Sequence, residues 1–322
     1  LIPVAVVTGF LGSGKTTLIS RILRDPAFGR TAVIVNEFGE IGLDHELIVS
    51  SDDSVLSLNT GCLCCAVQTD LARTLIDLLQ RRAAGTVDYD RVLIETSGLS
   101  DPAPLLQSMM TDPDVSATHQ LPYVVTLVDT IHGETTLNGH IEAEYQVALA
   151  DRLLISKTDL VPASEQLLAK LDALNPGTQP MATTEATLPL LFGASSLEAR
   201  TNRLGRTPRR PVHVGIDTVT VIRDRPIPAL ALTMALQAIV EHCGARLLRL
   251  KGLVAIEEMP GRPAVIHGVR HVVSPPDFLD RWPGTDERTR IVLITKGIPR
   301  HFVSRLLDAI EEEVREAGAI SP

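Results

Sequence analysis

No excess of basic charge runs through this chain. Its 322 residues carry 30 Lys and Arg against 39 Asp and Glu, a formal net charge of -9. That balance argues against nucleic acid or an anionic membrane as the main partner. The one local basic cluster, Arg203, Arg206, Arg209 and Arg210, reads as a solvated linker rather than a docking patch. No apolar run reaches the ~18 residues a membrane span needs. The chain enters a strand-like run, Ile2 to Thr8, without a basic n-region and cleavage site, so no secretory leader is expected in it. Cysteine is also sparse, with four in all. Three of them are Cys62, Cys64 and Cys65, too close together for a disulfide framework, which predicts a reducing, cytoplasmic setting. Aromatic residues make up only 3%, while the apolar content of 44% is ordinary for a globular protein. The length suits two domains.

What is present is an alternation of short apolar runs with helical patterns over the first ~190 residues. Strands are predicted at Val4–Thr8, Ala32–Asn36, Val55–Leu58, Arg91–Glu95, Tyr123–Val128 and Arg152–Ile155. Several are apolar almost throughout, as parallel strands covered on both faces are. Helices are predicted between them, among others at Thr16–Arg24, Val67–Ala84 and Glu142–Ala150. The fold class expected is α/β, a doubly wound, mostly parallel sheet with functional loops at the carboxyl ends of its strands. From about Ala194 to Pro211 the pattern dissolves into Ser, Arg, Thr, Gly and Pro. The domain expectation is therefore 1–194, a linker at 195–211, and 212–322. The last part predicts strands at Thr218–Arg223, Arg246–Ile256, Ala264–His267, Val269–Val273 and Ile291–Thr295. Helices are predicted there at Pro228–Cys243 and Arg300–Ala317, giving a small α+β domain with its sheet covered mainly on one side.

Gly9-x-x-x-x-Gly14-Lys15-Thr16 follows a strand pattern and opens a helical one, the context a phosphate loop requires. Its glycines let backbone N–H groups face phosphate oxygens, and the helix N-terminus adds partial positive charge. Lys15 is expected to bridge the β- and γ-phosphates and the Thr16 hydroxyl to bind Mg²⁺. Arg91 to Glu95 ends a buried strand in a carboxylate, placed for the Mg²⁺ shell or its water, and the Gly98 N–H after it is a candidate γ-phosphate sensor. Ser156-Lys157-Thr158-Asp159 lies just past another strand. In GTPases an Asn-Lys-x-Asp motif reads the base there, its Asp accepting from guanine N1–H and N2–H. Here Ser156 replaces Asn while Asp159 is kept, which favours GTP.

Cys62, Cys64 and Cys65 precede a helical pattern beginning near Ala66, whose N-terminal amides favour thiolates. Three soft sulfurs suit Zn²⁺, Cu⁺ or Co²⁺ rather than Mg²⁺ or Ca²⁺. Three ligands leave a fourth position open, as a carrier that releases its metal needs. Buried inert thiols and a redox switch are the alternatives. Spacing assigns no fourth ligand. Glu37, at the end of the second predicted strand, is the first candidate and His119 a distant second. His267, His271 and Cys243 read as structural.

The segments GFLGSGKTT (9–17), NEFGEIGLD (36–44), GCLCC (61–65), ETSGLSDP (95–102), VDT (128–130), SKTDL (156–160) and LRLKG (248–252) together resemble the CobW-like P-loop GTPases. These are metallochaperone relatives of the hydrogenase and urease nickel-insertion GTPases, and the resemblance runs across nearly the whole chain. It implies an N-terminal GTPase domain and a C-terminal CobW-type domain. It also implies slow GTP hydrolysis linked to delivery of a transition metal, often zinc, to a client metalloprotein or metal-inserting enzyme. By position it assigns Gly9, Gly12, Ser13, Gly14, Lys15, Thr16 and Thr17 to phosphate and Mg²⁺. Lys157 and Asp159 go to guanine, Cys62, Cys64 and Cys65 to metal, and Glu37 to the matching switch segment. A His-rich stretch that many members carry is absent from this sequence, so extra metal storage is not expected.

The mechanism expected is a γ-phosphate switch in which GTP–Mg²⁺ orders the Asn36–Asp44 and Ser97–Pro102 segments and so changes the geometry or access of the thiolates. Two other classes fit parts of the pattern. One is a small-molecule P-loop kinase with incidental thiols, the other a redox-regulated nucleotide-binding scaffold.

Overall fold

The computed structural model describes residues 1–36, 55–57, 66–121, 123–193 and 215–320, with 36, 55–57, 66–70, 319 and 320 described by backbone alone. Glu37, Cys62, Cys64, Cys65, most of the 36–44 segment and the arginines at 203–210 lie outside the described residues. Two compact units are present, each carrying one sheet.

The first unit runs β1 (Val4–Gly9), α1 (Lys15–Leu23), β2 (Thr31–Asn36), β3 (Val55–Ser57), α2 (Ala66–Ala83) and β4 (Arg91–Thr96). It continues with α3 (Ala103–Thr111), α4 (Pro113–Thr118), β5 (Tyr123–Asp129), α5 (Gly133–Gly139), α6 (Ile141–Leu149), β6 (Arg152–Ser156), α7 (Glu165–Leu174), β7 (Pro180–Ala182) and α8 (Leu188–Phe192). The seven strands lie in the order β3-β2-β4-β1-β5-β6-β7, and every pairing is parallel. The expected doubly wound parallel sheet is therefore the observed one. β1 is central, and all six of its residues are buried, as the unbroken run Val4-Ala5-Val6-Val7 anticipates. It sits between β4 and β5, where the chain reverses its direction of winding and where such folds bind ligands. Helix α1 buries Leu18, Ile19 and Ile22 on a core shared with Val7, Val33, Leu93 and Leu127. Each such side chain contributes about 1.5–3 kcal/mol of burial, so the helix that begins with the phosphate-loop lysine is rigidly seated.

The second unit runs β8 (Ile216–Arg223), α9 (Ala229–Cys243), β9 (Leu247–Val254), β10 (Ala264–Val269), β11 (Val272–Val273), β12 (Asp277–Phe278), β13 (Thr289–Lys296) and α10 (Arg300–Ile320). Its sheet order is β11-β10-β9-β13-β8, with β12 beside β10, and all pairings are antiparallel. Helices α9 and α10 pack Leu232, Ala235, Ile239, Val303 and Leu307 on one sheet face, against Val219, Leu250, Ile266 and Leu293. Cys243 belongs to this core, and burial pushes its thiol pKa up, so it is a packing residue as expected. One boundary differs from the sequence reading. Gly268 does not interrupt a strand but lies within β10, opposite Leu250 and Val273. The turn comes later, at Arg270, whose φ is 55°. Gly268 fits because a side chain there would press on Val273 and Leu250 at 3.1 and 3.2 Å. His267 and His271 therefore fall in a strand and the turn after it.

His119 is also relocated. It ends α4 and bridges Ile2, just before β1 begins. That is the amino end of the sheet, a strand length of about 20 Å from the carboxyl end where the loops gather. Its ring is 3% exposed and burial pushes its pKa down. His119 is thus a core histidine at the amino end of the sheet, away from the strand ends that carry Lys15 and Glu95. Among the described residues no helix is long and apolar enough to cross a membrane.

Candidate functional site

The site forms where β1, β4, β5 and β6 end, and local sequence explains each part. β1 runs out at Gly9, whose φ of 144° suits glycine alone. A Cβ there would lie 2.4 Å from the Leu127 carbonyl oxygen and 2.7 Å from Ser13 Oγ. The chain then turns through Gly12 (φ 72°) and Gly14 (φ 92°), and Gly14 caps α1. The Ser13 N–H donates to the Phe10 carbonyl at 3.1 Å, closing the loop.

Lys15 opens α1 and is only 8% exposed. Its Nζ donates to the Gly9 carbonyl at 2.8 Å and to the Phe10 carbonyl at 3.2 Å. The ammonium is thus curled over the loop whose amides would cradle a phosphate. Thr16 Oγ1 donates to Glu95 Oε1 at 3.3 Å, and Thr17, one residue on, is exposed. Glu95 is 3% exposed near the end of β4. A second tie holds these strand ends together: Thr96 Oγ1 donates to Thr8 Oγ1 at 2.8 Å. A buried carboxylate beside a threonine hydroxyl, both hard oxygen donors, fits Mg²⁺ next to a phosphate. Gly98, buried, sits against the phosphate loop, since a Cβ on it would lie 2.7 Å from the Leu11 nitrogen.

The β6 end supplies the third part. Lys157 holds a left-handed backbone (φ 59°), and its Nζ lies 3.4 Å from Asp129 Oδ1 at the end of β5. Asp129 Oδ1 also accepts from the Ile131 and His132 N–H groups at 3.0 and 2.8 Å. Thr130 Oγ1 donates to the Lys157 carbonyl at 3.0 Å. The Val-Asp-Thr segment thereby fixes the Lys157 turn and leaves Asp159 exposed, as a group that reads a base edge must be.

The structure gives Ser156 a part that the motif comparison did not reveal. Its Oγ donates to the Ser13 carbonyl at 2.6 Å, tying the β6 turn to the phosphate loop. A hydrogen bond to a backbone carbonyl depends on three-dimensional placement, and no sequence spacing signals it. Ser156→Ala is expected to lower nucleotide affinity about tenfold, the size of one buried hydrogen bond with its orphaned partner. Titration with a fluorescent guanine nucleotide checks this, and a change below twofold would contradict the tie.

Among the described residues, no group of three or more His, Cys, Asp or Glu side chains is arranged to hold a metal. The three clustered thiols and Glu37 lie outside those residues. Their flanks are described: β3 ends at Ser57 and α2 begins at Ala66.

Residues 3–183 match the model of the CobW/HypB/UreG nucleotide-binding domain, and residues 216–311 match that of the cobalamin synthesis protein cobW C-terminal domain. The zinc chaperone YjiA of Escherichia coli (strain K12) is 32% identical, over 99% of this chain and 98% of its own. The zinc chaperone CobW of Pseudomonas aeruginosa is 33% identical, over 95% of this chain and 90% of its own. A crystal structure of Zn(II)-bound YjiA GTPase from E. coli superposes with a TM-score of 0.73 at 26% identity, covering 96% of this chain and 98% of that one.

Proposed function

Because the chain belongs to the CobW/HypB/UreG family of nucleotide-binding proteins, we propose that it is a GTP-dependent zinc chaperone. In this reading it is a GTPase whose cargo is held by Cys62, Cys64 and Cys65, with Glu37 the first candidate to complete the set. The ion passes to a client metalloprotein or a metal-inserting enzyme, and cobalt is the second candidate cargo. The observation that carries the reading is the meeting of Lys15, the Thr16–Glu95 pair and the Lys157–Asp159 turn at one end of a parallel sheet. β3, which leads into the thiol segment, ends at that same side.

The residues divide the work as follows. The phosphate-loop amides and Lys15 bind the phosphates and place positive charge where the leaving oxygen gains negative charge. Thr16 and Glu95 would hold Mg²⁺ beside the nucleotide, and the ion would supply positive charge to offset that of the phosphates. Asp159 accepts from guanine N1–H and N2–H, while the Lys157 stem packs on the base. Gly98 offers its N–H to the γ-phosphate, so the Ser97–Pro102 segment differs between GTP and GDP states. Thiolates prefer zinc over the harder ions, and an incomplete donor set keeps the ion transferable.

A competition titration tests the coupling. Reduced protein is titrated with Zn²⁺ against a chelator, in the presence of a GTP analogue, of GDP, or of neither. Zinc affinity is expected to differ about tenfold or more between the two nucleotide states, an ordinary coupling free energy. The Cys64→Ala/Cys65→Ala double variant is expected to lose that difference. Zinc affinity indifferent to both nucleotide and cysteines would overturn the proposal. Nucleoside diphosphate formation that required an added small-molecule acceptor, with the phosphoryl group recovered on that acceptor, would favour a kinase instead.

A further inference from the structure

One buried side chain of the nucleotide-binding unit takes no part in the scheme above. Gln146, on α6, is 1% exposed. Its Nε2 donates to two carbonyls of the segment after β4, Gly98 at 3.1 Å and Ser100 at 3.0 Å. Both neighbours are pure acceptors, which sets the amide with its nitrogen toward the segment. The backbone carbonyl of Gln146 accepts from Thr126 Oγ1 of β5 at 2.7 Å, so α6 is pinned to the sheet at the same residue. The cap of α6 reaches the phosphate loop as well: the His140 ring lies against Phe10, centroids 4.5 Å apart. One helix therefore grips both segments that would meet the γ-phosphate.

The grip has a geometric consequence. With its carbonyl drawn toward α6, Gly98 sits so close to Leu11 that only hydrogen fits on that side. Two hydrogen bonds from one buried amide, that to Gly98 buried and that to Ser100 part-buried, restrain a three-residue stretch. An ionised carboxylate at 146 would face the same two carbonyls without a proton to share.

We propose that Gln146 is a positioning residue for γ-phosphate recognition: its amide seats the Gly98–Ser100 stretch on the phosphate loop, and the protein's preference for GTP over GDP depends on that seating. The proposal rests on the nucleotide-site reading above and names the side chain that seats its sensing segment.

Gln146→Met keeps an unbranched side chain of similar length and removes both donors. Gln146→Glu keeps the shape and presents oxygens to both carbonyls. In zinc-free protein with Mg²⁺ present, affinities for a non-hydrolysable GTP analogue and for GDP are measured by nucleotide fluorescence. The ratio of the two is expected to fall about tenfold in the Met variant and further in the Glu variant, with GDP affinity within about twofold of wild type. A purely structural role would shift thermal stability and both affinities together, leaving the ratio unchanged, and that result would overturn the proposal. If the Glu variant does not fold, the Met variant decides. Hydrogen exchange over residues 97–101 adds a second reading: faster exchange in the Met variant with analogue bound supports the seating, equal exchange contradicts it. Wild-type protein that binds neither nucleotide sinks the nucleotide reading and this proposal together. A preference retained in both variants sinks this proposal alone.

Discussion

Lys15→Ala is expected to cut kcat/KM for GTP hydrolysis by about 100- to 1000-fold, in a protein that still folds. The side chain has two tasks that no neighbour can take over. It ties the loop to itself through the Gly9 and Phe10 carbonyls, and in the proposed site it would bring the positive charge nearest the phosphates. At 8% exposure that charge is little screened by water. Truncating one partner of a desolvated charge pair costs about 2–5 kcal/mol, and each 1.36 kcal/mol is tenfold in rate. Folding should survive because α1 is held by Leu18, Ile19 and Ile22 on its buried face, not by the lysine head. Phosphate release measured beside a thermal melt separates the two effects. A loss below tenfold with an unchanged melt would remove Lys15 from the phosphate site.

Gly98→Ala should cost about 100-fold in the hydrolysis rate while leaving GDP affinity within a few-fold. The added methyl carbon would lie 2.7 Å from the Leu11 nitrogen and Cδ2 and 2.9 Å from its Cα. The Leu11 side chain is 58% exposed and can swing away. The backbone nitrogen and Cα cannot, because they belong to the loop that the glycines hold. The segment must therefore lift, and its N–H is carried out of hydrogen-bond range. Losing one oriented backbone donor to a developing oxyanion costs about 10²–10³ in rate. GDP lacks the γ-phosphate that this N–H is proposed to serve, so its binding is expected to change little. Equal losses for GDP and the GTP analogue, in the same fluorescence titrations, would show instead that the methyl group distorts the phosphate loop as a whole.

Much of this architecture is written in local pattern. The run Val4-Ala5-Val6-Val7 announces a strand covered on both faces, and it proves to be the central strand. The Gly9–Thr16 spacing identifies the phosphate loop because the motif is itself a backbone geometry: positive φ at Gly9, Gly12 and Gly14 is where glycine is needed. Glu95 is legible for a similar reason, as a carboxylate ending an apolar strand has few structural uses. Other elements carry no such signal. β7 is three half-buried residues beginning with a proline, and its strand character comes from pairing with β6 alone. The β10 turn falls at Arg270 rather than at Gly268, because register against β9 outweighs glycine's freedom.

The contrast is sharpest within the site. Residue types at fixed spacing, with turn glycines and strand-end acids, mark from sequence alone a phosphate-loop motif, a candidate soft-metal donor set and an α/β nucleotide-binding unit with a second α+β part. They do so because each of these chemistries needs particular atoms within one short segment. Only the tertiary structure decides how the segments grip one another. Ser156 holds the phosphate loop from 143 positions away in sequence, and Gln146 holds Gly98 from 48. His119, a plausible ligand on paper, stands at the far end of the sheet. Contacts of that range depend on strand order and on backbone carbonyls, which every residue carries alike. No pattern of side chains along the chain can announce them.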